Sequence, residues 1–223
     1  MIELIQAKEP FRFYTRLHLS EMTGLKAATL SQLLEIIKQV PDACIYHHTH
    51  KFLQQHQYIS PEPPNDFAYW ITEILGEADL GEQLASIDIM QFSEISALRS
   101  KIAEIIENYL AANKISYMRF AKEGEEFHFM KTISFIIPTA YEVHNLAEFS
   151  EALKKITIDS IYFHIFEARL RLGKQTNDFS FWLETSLGDK ALGDQIASLD
   201  PYTRTLEDLR ETIIETVNKR INL

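Results

Sequence analysis

The chain has 223 residues and a mass of 25.9 kDa, enough for one large domain or two of ordinary size. Hydrophobic residues make up 46% and charged residues 24%, proportions that exclude a disordered or collagen-like chain. The net charge of −10 opposes binding to nucleic acid and to anionic membranes. No apolar run could cross a membrane, and the single cysteine, Cys44, cannot form an internal disulfide. We therefore expect a cytoplasmic protein with neither nucleic acid nor membrane among its partners.

Seven glycines and seven prolines in the whole chain are too few for the turns of a β-sandwich or barrel, so the protein is predicted to be mostly helical. The first half of the chain shows the expected patterns. Near its start, alternating apolar residues are compatible with one short strand: Phe11, Phe13, Leu17 and Leu19. A helical stripe begins at Leu30 and is ended by Pro41, and a longer one runs from Phe92 to Tyr109. These patterns predict helices after an opening strand.

The second half shows the same order of elements. Apolar residues alternate before Pro138 and again permit one short strand: Phe127, Phe129, Ile133, Phe135 and Ile137. The Asn177–Asp178 pair is the predicted N-cap of a helix that contains Trp182, as the Asn65–Asp66 pair is for the helix of Trp70 in the first half. Thr205 and Asp208 have the spacing of a capping box for the last helix.

An internal repeat explains this agreement. Residues 65–88 and 177–200, offset by 112, are identical at 12 of 24 positions, and residues 11–53 match residues 127–169 at an offset of 116 with 9 identities in 43. We interpret this as a duplication. The sequence thus predicts a mainly α protein, with two similar helical repeats packed about a pseudo-twofold axis. The first repeat spans residues 1–120, a charged linker residues 121–126, and the second repeat residues 127–223.

Polar residues that recur in both repeats are candidates for a shared site. His48 recurs as His164, and Asp66 and Trp70 also recur in the second repeat. Arginines beside His164 could hold a carboxylate or phosphate through paired N–H groups, and a tryptophan could support a sugar ring. We therefore predict a small anionic molecule or sugar bound between the repeats by six residues: His48, His164, Arg169, Arg171, Asp66 and Trp70. The plainer alternatives are that Arg169 pairs with Asp66 and that both tryptophans belong to the core.

A metal site is the second hypothesis. His47 and His50 lie three residues apart, and Glu167 follows His164 by three, spacings that helical metal proteins use. The metal-dependent enzyme of this hypothesis would use His47, His48, His50, His164 and Glu167. The plainer alternative is that Glu167 pairs with Arg171 along one helix and that the histidines fill the seam between the repeats. A third hypothesis is a structural adaptor.

Several segments also carry a resemblance to a known family: Ser160–His164 and Glu167–Arg171, Asn177–Ser180 before Trp182, Asp200–Tyr202 before Thr205, and Ile45–His50 with Asp66–Ala68. On these segments the chain resembles, over nearly its whole length, a prokaryotic family of uncharacterised proteins with an internal duplication. The resemblance implies neither substrate nor cofactor, and whether the protein is an enzyme stays open. We favour a regulatory, ligand-binding role, with a second copy or another protein as a further partner.

Overall fold

The structure is a computed structural model that describes residues 5–55, 65–168, 170, 176–199 and 205–222. Two strands of 17 residues each, β1 (Phe11–Ala27) and β2 (Phe127–Val143), pair as an antiparallel sheet. The predicted mainly α fold with short strands is therefore wrong, and the fold is mixed α/β. No described helix is long and apolar enough to cross a membrane.

The predicted strands were too short because the apolar alternation stops at Leu19 in β1 and at Ile137 in β2. Phe11 and Phe13 are buried in β1, but the residues that follow them are exposed or half-buried until Ala27. A two-stranded sheet leaves most of its surface in solvent, so burial imposes no alternation there. Pro138 was expected to end a strand, yet it lies inside β2. A proline is tolerated there because each strand of a two-stranded sheet is an edge strand.

Helices follow each strand in the same order. After β1 come α1 (Leu30–Gln39), α2 (Asp42–Gln55), α3 (Asp66–Glu73), α4 (Ala78–Ala85) and α5 (Ile95–Ala112), with 3₁₀ turns at Ile89–Gln91 and Lys114–Met118. After β2 come α6 (Leu146–Leu153), α7 (Ile158–Tyr162), α8 (Asp178–Thr185), α9 (Lys190–Ala197) and α10 (Leu206–Ile221). A π-helical turn, Phe163–Glu167, directly continues α7.

The predicted helix starts are confirmed. The Asn65 side chain accepts a hydrogen bond from the backbone N–H of Ala68 at the start of α3, and Asn177 does the same for Ser180 at the start of α8. Thr205 and Asp208 form the predicted capping box of α10. Each cap satisfies backbone donors that the first helical turn leaves without an intrahelical partner.

The chain divides into two compact units. Unit 1 contains the described residues of Met1–Leu17 and Phe135–Leu223, and unit 2 contains those of His18–Gln55 and Ser60–Ser134. Each unit thus combines the opening of one strand with the helices that follow the other strand. The units do not coincide with the sequence repeats, whose boundaries at residues 120 and 127 stay a prediction.

An aromatic cluster forms the core of unit 1 where β1 begins. Phe11 lies 4.8 Å from Phe13, 4.9 Å from His164 and 5.6 Å from Trp182 between ring centroids, mostly edge to face. In unit 2, Phe127 at the start of β2 makes the corresponding contacts with Phe129, His48 and Trp70. These clusters hold each strand opening on its helices and surround the candidate histidines.

Candidate functional site

In unit 1, His164 lies on the π-helical turn after α7 and is nearly inaccessible to solvent. Its Nε2 accepts a hydrogen bond of 2.9 Å from the backbone N–H of Tyr14, so this nitrogen carries the lone pair. The proton is therefore on Nδ1, which donates to the Asp178 carboxylate at 2.7 Å. The ring is neutral and is held in one tautomer between strand β1 and helix α8.

Unit 2 contains the same arrangement around His48 on α2. Its Nε2 accepts from the backbone N–H of Met130 at 3.0 Å, and its Nδ1 donates to Asp66 at 2.8 Å. The two carboxylates differ in their surroundings, because the Asp66 side chain is 52% exposed and that of Asp178 only 14%. His48 and Asp66, two of the six predicted ligand-binding residues, are thus in direct contact, in a bond that anchors strand β2.

The tryptophans make a second anchor of the same kind. In unit 2, Trp70 Nε1 donates to the backbone oxygen of Glu125 at 2.7 Å. In unit 1, Trp182 Nε1 donates to the backbone oxygen of Glu9 at 2.8 Å. Both indoles are buried, which agrees with the plainer expectation that they belong to the core. Each histidine and tryptophan pair therefore fixes the segment at the start of a strand.

These bonds limit what the histidines can do chemically. A general base or a metal ligand needs an imidazole lone pair, and in His48 and His164 that lone pair already accepts a backbone N–H. Using it would leave a backbone donor unsatisfied, at a cost of about 1–3 kcal/mol. In this arrangement the two rings position the strands and pack in the aromatic cluster at each strand opening.

A pocket of about 290 Å³ opens to solvent in unit 1, between the start of β1 and helix α8. Its polar lining includes the Arg12 guanidinium and the Asp178 carboxylate, and Phe181 and Trp182 supply apolar surface. Arg12 also donates to Glu142 at 2.6 Å, with both side chains at the surface. The pocket therefore joins a cationic rim, a carboxylate and an aromatic wall, a combination suited to a small polar molecule.

The matching surface of unit 2 carries different side chains. At the sequence offsets of the repeat, His128 stands for Arg12, Tyr69 for Phe181 and Glu73 for Thr185. At these positions unit 2 therefore has no guanidinium, and it has two more carboxylates, Glu73 and, at the position of Pro10, Glu126. These positions of unit 2 therefore do not offer an anion the cation that Arg12 provides in unit 1.

The predicted metal ligands His47 and His50 make separate contacts within unit 2. His47 Nδ1 lies 3.0 Å from Thr132 Oγ1, and burial, with repulsion from His48, lowers the pKa of His47 to about 4. His50 Nδ1 lies 2.9 Å from Thr49 Oγ1, and its ring stacks on Tyr46. The two imidazoles thus each have a hydroxyl partner.

Glu167, the third predicted metal ligand, lies in unit 1. Its fully buried carboxylate forms an ion pair with Arg16 of β1. Among the residues that the structure describes, no group of three His, Cys, Asp or Glu side chains could hold a metal ion. The predicted roles of Arg169 and Arg171 concern residues outside the described ranges.

Sequence reasoning missed the residues that β1 contributes to unit 1: Arg12, Tyr14 and Arg16. It assigned them to the first repeat, whereas the structure places them beside helices of the second. No spacing along the chain pointed to these residues, since the cation expected for Glu167 was Arg171 on the same helix, whereas Arg16 lies 151 residues away.

Comparison with solved structures finds a similar chain described as "The structure of OrfY from Thermoproteus tenax". The two are 27% identical with a TM-score of 0.80, and the match covers 96% of each chain. No curated protein matches. The prokaryotic origin and the duplication that the resemblance implied stay predictions. The family resemblance itself is confirmed over residues 8–218, and the chain belongs to the group described as "Family of unknown function (DUF5752)".

Proposed function

We propose that the pocket of unit 1 binds a small polar or anionic molecule and that this binding is regulatory. The observation that carries the proposal is the meeting of Arg12, Asp178 and Phe181 at one solvent-open pocket. His164 also lines the pocket, but it is buried and both of its ring nitrogens already form structural bonds.

The ligand chemistry follows from these groups. A guanidinium has five N–H donors, so Arg12 can hold a carboxylate or phosphate while it contacts Glu142. The Asp178 carboxylate accepts hydrogen bonds from hydroxyl groups, and the half-exposed Phe181 ring offers a flat apolar surface. A sugar or another small hydroxylated acid would satisfy all three groups.

The same geometry favours binding over catalysis. His164 is the one imidazole that lines this pocket among the described residues, and its lone pair accepts the Tyr14 N–H. Proton transfer to a ligand would require that bond to break. A structural adaptor is the second candidate, supported by the observation that both histidine–carboxylate pairs anchor strands.

The duplication is part of this proposal. The strands begin 116 residues apart, α3 and α8 begin 112 residues apart, and both offsets agree with the sequence repeat. The two histidine–aspartate bonds and the two tryptophan bonds support a common origin of the halves. For location, we propose the cytoplasm, because the single cysteine, Cys44, is a buried free thiol.

A ligand screen with matched variants tests the pocket. Thermal shift and calorimetry with sugars, nucleotides and phosphorylated metabolites should identify a compound that stabilises the wild type. Arg12→Ala and Phe181→Ala should each weaken its binding by about tenfold or more, the loss of roughly 1.4 kcal/mol. The matched changes in unit 2, His128→Ala and Tyr69→Ala, should leave it unchanged. Equal binding to all four variants would exclude this pocket, and a screen without any binding compound would favour the adaptor.

A further inference from the structure

The part of the two strands that lies in unit 1 exposes large apolar side chains. Leu17 of β1 and Phe135, Ile136 and Ile137 of β2 are each about half exposed. Thr139 Oγ1 donates to the backbone oxygen of Phe13, and in antiparallel register this places Leu17 beside Phe135. We call these four residues the apolar strand segment. Leu17, Phe135 and Ile137 lie on one face of the strand pair and Ile136 on the other, because successive side chains of a strand point to opposite faces. Exposed apolar surface of this kind is typical of an interaction site.

We propose that the apolar strand segment is the surface on which a second copy of this chain docks. The first argument is charge. Residues 132–141 of β2 contain no Asp, Glu, Lys, Arg or His, although the chain carries a net charge of −10. Two copies repel each other over most of their surface, and an uncharged segment is where they can approach without that repulsion.

The second argument is the open edge of the sheet. A strand edge presents backbone N–H and C=O groups that can pair with another strand, and proteins usually protect such edges with charged side chains. The apolar strand segment has no such protection within β2. Pro138, directly after Ile137, has no N–H and interrupts any pairing that would continue along the strand. This interruption favours a closed dimer over an open-ended assembly.

Unit 2 also exposes a stretch of apolar residues, but that stretch is less suited to contact between two identical chains. In unit 2, Ile115, Met118 and Phe120 are strongly exposed beside Lys114 and Arg119. Symmetric contact between two copies there would bring the cations of both copies together, which is unfavourable. The two stretches therefore differ in the partner that they fit, and the apolar strand segment is the one suited to an identical chain.

Sedimentation measurements on the full chain test the proposal. The wild type should change from monomer to dimer between about 5 and 200 µM, and Phe135→Glu should weaken dimerisation by about tenfold or more. Met118→Lys, at a residue with 78% exposure in unit 2, is the matched control and should dimerise as the wild type does. A wild type that stays monomeric throughout, or an equal loss in Met118→Lys, would overturn the proposal.

A cross-linking measurement keeps the test decisive if Phe135→Glu does not fold. Because Cys44 is buried, Ile136→Cys introduces the one accessible cysteine among the described residues. Mild oxidation should join two Ile136→Cys chains by a disulfide, since a symmetric dimer brings the same segment of both copies together. Ile115→Cys is the control and should form no disulfide-linked dimer, although it keeps the apolar strand segment. Cross-linking of the control variant alone would refute the assigned surface.

Discussion

Unit 1 and unit 2 hold their strands with the same two bonds but surround them differently. His164 and His48 each accept a backbone N–H and donate to an aspartate. The aspartate of unit 1 is largely shielded from solvent, whereas that of unit 2 is half exposed. The comparison indicates that both units need the histidine bonds that hold the strand, and that the side chains around these bonds differ between the units.

The neighbours of the anchor show this difference most clearly. In unit 1, Arg16 and Glu167 form a buried ion pair. The positions 116 residues away in unit 2 are Thr132 and Lys51, and there Thr132 contacts His47 while Lys51 donates to Ser20. Unit 1 therefore buries charge where unit 2 buries a neutral imidazole. We therefore expect matched substitutions in the two units to lower the free energy of unfolding by different amounts.

Removal of the buried carboxylate should have the largest effect. Glu167→Ala leaves the Arg16 cation without its buried anion and should lower the free energy of unfolding by about 3–5 kcal/mol. Lys51→Ala, the corresponding change in unit 2, should cost at most about 0.5 kcal/mol because it removes only a surface bond. Urea unfolding measures both. Similar costs for the two variants would contradict the difference between the units.

Removal of the anchors should rank second and should be stronger in unit 1. His164→Leu leaves the Tyr14 N–H unsatisfied and takes the partner of a shielded carboxylate, so we expect a loss of about 2–4 kcal/mol. His48→Leu should cost about 1 kcal/mol less, since water can solvate the exposed Asp66.

Each unit contains one of the two tryptophans, which allows its unfolding to be followed separately. Trp70→Phe leaves Trp182 as a fluorescent reporter of unit 1, and Trp182→Phe leaves Trp70 as a reporter of unit 2. His164→Leu should shift the urea midpoint of the Trp182 signal most. His144→Leu, at an exposed histidine, is the control and should shift neither signal. A larger shift for His48→Leu would reverse the proposed order.

Acid should act on unit 2 through His47, with the smallest effect of the three. The pKa of His47 is lowered from 6.5 to about 4 in the folded chain, by burial first and then by repulsion from His48 and Lys51. The unfolded chain therefore binds a proton below pH 6.5 that the folded chain excludes until about pH 4. Stability falls across this window, by about 2–3 kcal/mol at pH 4.5.

The variant His47→Phe removes the titrating imidazole and places there the same residue type as Phe163, which occupies the corresponding position in unit 1. It should lose about 2–3 kcal/mol less stability than the wild type between pH 7 and pH 4.5. Urea unfolding at both pH values gives the difference. An equal loss in wild type and variant would show that other groups account for the acid sensitivity.

Much of the local structure could be predicted from the sequence, because local interactions determine it. The caps at Asn65, Asn177 and Thr205 depend on side chains within three residues of the helix start. The repeat marked His48 and Asp66 as recurring residues, but their bond to each other was not predicted. The full length of the strands was not predicted, since the apolar alternation stops at Leu19 and Ile137 while the strands continue to Ala27 and Val143.

The sequence by itself determined the helices, their caps, and the set of aromatic and histidine side chains that pack at each strand opening. Only the tertiary structure decided which strand opening packs on which helices. Because the halves resemble each other, Phe11 and Phe13 would find nearly the same partners on either set of helices, a phenylalanine cluster, a histidine and a tryptophan. The aromatic contacts are thus similar in the two arrangements, whereas the ion pair of Arg16 with Glu167 forms in only one of them, because Lys51 stands at the position of Glu167 on the other set of helices. The choice also depends on the connections between elements and on strand pairing over more than 100 residues of chain, which no local pattern encodes.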